Sequence, residues 1–93
     1  MHKYRVLESR TAEGRVVFQC SKGRFHVARP LNQLPPVGTL WFGALPHLGF
    51  GALTDTRSGE VCRVIFRAIN HPRPDMALQH AEDGVLGASA GGE

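Results

Sequence analysis

The chain holds no apolar run approaching the roughly 20 residues that cross a bilayer as a helix. Its first residues, Met1-His2-Lys3-Tyr4-Arg5, lead into a strand-like pattern without the apolar region of a signal peptide. The expectation is a protein with no membrane partner and a cytoplasmic location. Cysteine is scarce: Cys20 and Cys62 are too few and too far apart for a zinc motif, and a disulfide between them needs an oxidising compartment, which nothing in the sequence indicates. Both are expected to be reduced core residues, since free cysteine is among the most buried residue types. No Gly-Lys-Ser/Thr phosphate loop and no Gly-x-Ser-x-Gly elbow is present. His2, His26, His47, His71 and His80 are scattered without metal-ligand spacing. These absences point to a non-catalytic module with no cofactor and no metal. The competing enzyme reading needs His26, Cys20 or His71 gathered beside a carboxylate.

Acidic residues are few before residue 75. Residues 1–74 carry all eleven Lys and Arg against Glu8, Glu13, Asp55 and Glu60, a net of +7. Residues 75–93 carry Asp75, Glu82, Asp83 and Glu93 and no base, a net of −4. A basic body with an acidic tail points toward an anionic partner. The 93 residues fit one domain, read as a β domain over 1–74 and an acidic, partly disordered tail over 75–93.

What is present is a series of short alternating segments punctuated by glycine. Strands are expected near 3–11, 15–21, 24–29, 39–45, 48–56 and 60–69. A two-residue Lys22-Gly23 turn would pair Cys20 with Phe25, Phe18 with Val27 and Gln19 with His26, apolar against apolar and polar against polar. Pro30, Pro35 and Pro36 make residues 30–38 a crossing loop rather than an interior strand. Asp75 could cap a short helix over Met76–Asp83, ended by Gly84, with a disordered end after it. The fold class is all-β: an SH3-like or OB-like small barrel, or a strongly bent antiparallel sheet, of five to six strands. The proline-rich 30–38 segment is a poor place for the helix that OB-like barrels carry there, which favours the SH3-like form.

The central stretch, residues 40–53, has no charged residue and nearly repeats itself, Phe42-Gly43-Ala44-Leu45 returning as Phe50-Gly51-Ala52-Leu53. Read as a hairpin about Pro46-His47, it pairs Leu45 with Leu48, Gly43 with Phe50, Phe42 with Gly51 and Trp41 with Ala52. A two-residue Ser58-Gly59 turn then pairs Leu53 with Val64, Gly51 with Phe66 and Phe50 with Arg67, and sets Arg57 facing Glu60. Leu40, Phe42, Leu53, Val64 and Phe66 form the expected core face, with Cys62 and Ala68 continuing it along the last strand. Trp41, Phe50, Ile65, Arg63 and Arg67 fall on the other face, with Leu45 and Leu48 beside them. Lys22 and Arg24 at a turn tip could extend it. Such a surface suits a protein partner or self-association, the first reading. The alternative is single-stranded RNA or DNA, with rings stacking on bases and guanidiniums on phosphates. The Arg63-x-x-x-Arg67 spacing resembles the arginine pair of cyclic-dinucleotide-binding PilZ domains. In that family an Asp/Asn-x-Ser-x-x-Gly motif follows the pair, whereas Asp55-Thr56-Arg57-Ser58-Gly59 precedes it here at a different spacing, so no family is assigned.

Overall fold

The computed structural model describes residues 2–10 and 14–79. Six strands form: β1 (His2–Arg10), β2 (Arg15–Cys20), β3 (Phe25–Pro30), β4 (Leu40–Gly43), β5 (Gly49–Thr54) and β6 (Val61–His71). They close into an antiparallel barrel in the order β1-β2-β3-β6-β5-β4, with β4 returning to β1. This is a small barrel of the SH3-like or OB-like kind. A short helix, α1, covers residues 74–79. It begins ahead of the expected start at Met76; the expected stretch 80–83 and the tail lie outside the described residues.

Glycine and polar turns make the strand breaks, and the turns also set the registers. The β2–β3 turn takes three residues, not two: Gly23 N–H donates to the Cys20 carbonyl (2.9 Å) and Cys20 N–H to the Arg24 carbonyl (2.9 Å). Gly23, at φ +77°, supplies the left-handed position such a loop needs. The expected register is therefore off by one, and Phe18 stands opposite His26, Val17 opposite Val27 and Val16 opposite Ala28. The reason is that both faces of this hairpin are covered. Val16, Phe18, His26 and Ala28 face the barrel interior, while Val17 and Val27 lie beneath Ala77 and Leu78 of α1, in a second small core with Ala68 and Phe25.

The β4–β5 hairpin also departs from expectation. Phe42 pairs with Thr54 rather than Gly51, a slip of three positions. An odd slip exchanges the faces of one strand, so Trp41 turns inward and is 2% exposed, whereas Leu40 and Phe42 turn outward. The indole Nε1 donates to Thr39 Oγ1 at 2.9 Å, satisfying the one polar atom this ring buries. Gly43 lets β4 and β5 meet closely here: a Cβ on it would lie 2.7 Å from Leu53 Cδ2 and 3.0 Å from the Ala52 carbonyl.

The β5–β6 register slips by two, Phe50 meeting Ile65 and Leu53 meeting Cys62. An even slip preserves faces, so Leu53, Cys62, Val64 and Phe66 all enter the core as expected. The connecting turn is longer than two residues: Asp55 N–H bonds the Glu60 carbonyl at 2.9 Å, and Asp55 Oδ1 takes the Arg57 N–H at 2.9 Å. Arg57 and Glu60 accordingly do not face each other. Between Ala28↔Phe66 and Val27↔Ala68 the ladder skips Arg67, a bulge that reverses the facing of β6. Ala68 consequently joins the core under α1, and Ile69 packs on the barrel core instead. The crossing segment between β3 and β4 closes one barrel end, with Pro35 buried and Leu34 packed on the core. Asn32 binds it to β6, donating to the Val61 carbonyl (2.8 Å) and accepting from Arg63 N–H (2.7 Å).

Candidate functional site

Of the groups the enzyme reading names, His26 and Cys20 are buried in the interior, and His71 is half-buried at the end of β6. His26 is fully buried, its ring against Tyr4 (5.7 Å between centroids) and Phe66 (6.3 Å). Its Nδ1 accepts the Asn70 N–H at 3.1 Å, which puts the ring proton on Nε2, an atom with no hydrogen-bond partner. Burial, and after it the nearby His2 and His71, lower its pKa to about 4. Burial, then Cys20, pushes Tyr4 up to about 12, and the phenol donates to the Ala44 carbonyl at 2.6 Å. Burial alone pushes the Cys62 thiol up to about 11. Imidazole, phenol and thiol are thus each held neutral by burial. No carboxylate is bonded to any of them, and no group of three His, Cys, Asp or Glu side chains suited to a metal is found among the described residues.

The outer face of β5 and β6 is different. Val64 and Phe66 point inward, so Ile65 points out. Phe50 lies directly opposite Ile65 on β5, and Arg29 lies directly opposite it on β3. Arg63 precedes Ile65 by two residues, on the same face, and Arg67 follows it by two, at the bulge. One half-buried aliphatic side chain is therefore the centre of a cross. Its arms are an aromatic ring 70% exposed and three arginines. Neighbours across the ladder stand about 5 Å away, and those along the strand about 7 Å.

No acid among the described residues forms an ion pair with this cross. Among the described residues Glu8 is held by Arg10, Asp75 by Arg73 (3.0 Å) and Asp55 by the Arg57 N–H, and the exposed Glu60 makes no ion pair. No ion pair reaches Arg29, Arg63 or Arg67.

Of the residues singled out in the sequence, the structure brings together Phe50, Arg63 and Arg67. Leu45 (66% exposed) and Leu48 (57%) lie in the loop that leads into Phe50. Trp41 is removed to the core. Lys22 and Arg24 are exposed but lie at the β2–β3 turn, beyond the Phe25↔His71 pair. Six residues of strand separate His71 from Ile65, about 20 Å. Arg29 is the member that the sequence reading missed. Its only signal was its position one residue past Ala28, and it became a neighbour of Ile65 only because the barrel closes β3 onto β6. A separate open cleft of about 510 Å³ lies where β4 and β5 part, lined by His2, Phe42, Ala44, Leu45, Ala52 and Thr54.

Comparison with protein-family models, curated proteins and solved structures finds no match to the chain.

Proposed function

We propose that this barrel is a non-catalytic module that binds single-stranded nucleic acid on the outer face of β5, β6 and β3. The observation that carries the reading is the cross about Ile65, an exposed Phe50 ring beside three guanidiniums with no acid paired to them. A ring of this kind stacks on a base for about 1–3 kcal/mol, and arginines take the phosphates. A duplex would offer the phosphates but no free base face for Phe50. The test is anisotropy of a labelled oligodeoxythymidylate at low salt, with a duplex of equal length as comparator. Tight, salt-sensitive binding of the single strand is expected. Equal or better duplex binding would overturn the reading.

A protein contact or self-association is the second reading, favoured by the exposure of Leu45, Leu48 and Phe50 on one side of the barrel. It loses its central anchor with Trp41 in the core, since interface hot spots are built on such rings. It predicts association that tolerates salt and is abolished by Leu48→Asp, read by sedimentation.

A further inference from the structure

The cleft where β4 and β5 part is built around Ala52. Leu53 points into the core, so Ala52 and Thr54 point out, on the same face as Phe50. Asp55 N–H bonds the Glu60 carbonyl one step past the Thr54↔Val61 pair. Hydrogen-bonded pairs alternate along an antiparallel ladder, so Leu53↔Cys62 and Gly51↔Val64 carry the bonds between β5 and β6. The N–H and carbonyl of Ala52 therefore turn away from β6, toward β4. The Ala52 carbonyl accordingly lies 3.0 Å from the Cβ position of Gly43. β4 does not take these groups up. Its ladder with β5 holds only at Phe42↔Thr54, and the chain bends at Ala44, whose carbonyl accepts the Tyr4 hydroxyl at 2.6 Å. One donor and one acceptor are thus left side by side at a cleft of about 510 Å³, with Phe42, Ala44 and Leu45 as its apolar wall.

A charge stands at the rim. Arg63 lies directly opposite Ala52 in a pair of the closer kind, about 4.5 Å between Cα atoms. It is exposed, and no ion pair reaches it. We infer that this cleft receives one base of the bound single strand, its ring against the Phe42 and Leu45 wall, its polar edge on the Ala52 N–H and carbonyl, and the adjoining phosphate on Arg63. The inference rests on the nucleic-acid reading and adds a base-reading subsite to it. The cleft is continuous with the Phe50 face through Ala52, two residues away on the same side of β5. An apolar wall beside a donor and an acceptor is what a splayed-out base requires, a flat ring with a polar edge. A cationic rim favours a phosphate-bearing occupant over a peptide strand, the other structure that an open strand edge accepts. Stacking on Phe50 is indifferent to sequence, because every base has a π-face. Hydrogen bonds to a base edge are not, so the cleft is where sequence would be read.

The experiment compares labelled homo-oligodeoxynucleotides of thymine, cytosine and adenine, equal in length, by anisotropy at low salt. The tightest is expected to bind about tenfold better than the weakest, the discrimination that one base-edge contact provides. A single preferred base placed in the weakest strand should recover most of that difference, because one cleft takes one base. Ala52→Ile fills the cleft from an exposed strand position, where a β-branched residue is well accommodated. It should bind all three strands alike and keep the parent's salt slope, log affinity against log salt, because Arg63 is still present. Unchanged emission from the buried Trp41 reports that the variant is folded. Phe50→Ala should instead weaken all three strands and keep the preference among them. If the parent binds the three strands with equal affinity, or if the preference survives Ala52→Ile, the cleft does not read a base, while the binding reading stands on Phe50 and the arginines. If the parent binds no single strand at all, both fall together.

Discussion

Phe18 faces His26 across the β2–β3 ladder, so the barrel buries an imidazole opposite a phenyl ring. His26 holds no proton beyond its neutral form because burial lowers its pKa to about 4, against an ordinary 6.5. Between those two pH values the unfolded chain binds a proton that the folded chain does not. The stability that His26 supports is thus fully present above pH 6.5 and is lost as the pH falls toward 4. The gap corresponds to about 3 kcal/mol. Urea midpoints measured over this range should fall accordingly. His26→Asn keeps an acceptor for the Asn70 N–H but does not titrate, and should show a clearly shallower fall. An unchanged pH profile in that variant would assign the loss to the carboxylates instead.

Trp41 is a core residue, packed with Tyr4, Val6, Leu53 and Phe66 in one cluster. Trp41→Ala should cost about 3–5 kcal/mol, the range for deleting a large buried ring. The native fluorescence should be blue-shifted and resist quenching by acrylamide. It should also respond little to an oligonucleotide, because the indole lies on the other side of the sheet from Phe50. Strong acrylamide quenching of the folded protein would contradict the inward facing of β4.

At Gly43, β4 runs close against β5. A methyl group there meets the Ala52 carbonyl at 3.0 Å and Leu53 Cδ2 at 2.7 Å. The leucine methyl can shift, but the backbone oxygen belongs to a paired strand. Gly43→Ala should destabilise by about 1–3 kcal/mol, as overpacking of a core does. Gly14→Ala provides the contrast: nothing lies within 4 Å of its added methyl, and only its φ of +58° resists the change. A thermal melt of the two variants checks the order.

The number and placement of the strands were legible because each break carries its own chemistry: Lys22-Gly23, Pro35-Pro36 and Ser58-Gly59; Pro30, expected to open the crossing loop, is instead the last residue of β3, paired with Val64. Registers were not. Polar-with-polar matching put Gln19 opposite His26, but His26 is an interior residue that takes its hydrogen bond from Asn70, 44 positions away. Asn70 adopts φ 58°, a left-handed position that asparagine tolerates better than most residues. Nothing local in the chain announces that contact. The bulges that skip Leu7 and Arg67 were equally silent, since alternation reads as continuous through them. Phe50, Arg63 and Arg67 survived the register errors because β5 slipped against β6 by an even number of places. Trp41 did not, because β4 slipped by an odd number. Arg29 needed the closure of the barrel, which is a property of the whole chain.

Phe50 is the residue on which the binding reading can be tried most directly. It is 70% exposed and sits opposite Ile65, so its side chain can be changed without opening the core. Phe50→Trp should fold with parental stability and add a second, solvent-exposed indole whose emission is red-shifted relative to that of Trp41. Stacking on a base should quench that new emission, giving a titration that the buried native tryptophan does not provide. Phe50→Ala should weaken oligonucleotide binding by about 1–3 kcal/mol, the value of one stacked base. Its salt slope should stay that of the parent, because no phosphate contact is lost. Arg63→Ala should do the opposite, lowering the slope by about 0.7 unit for one lost phosphate. A Phe50→Ala variant that binds as tightly as the parent would show that the ring is not part of the site, and the contact would then reduce to nonspecific attraction by the arginines.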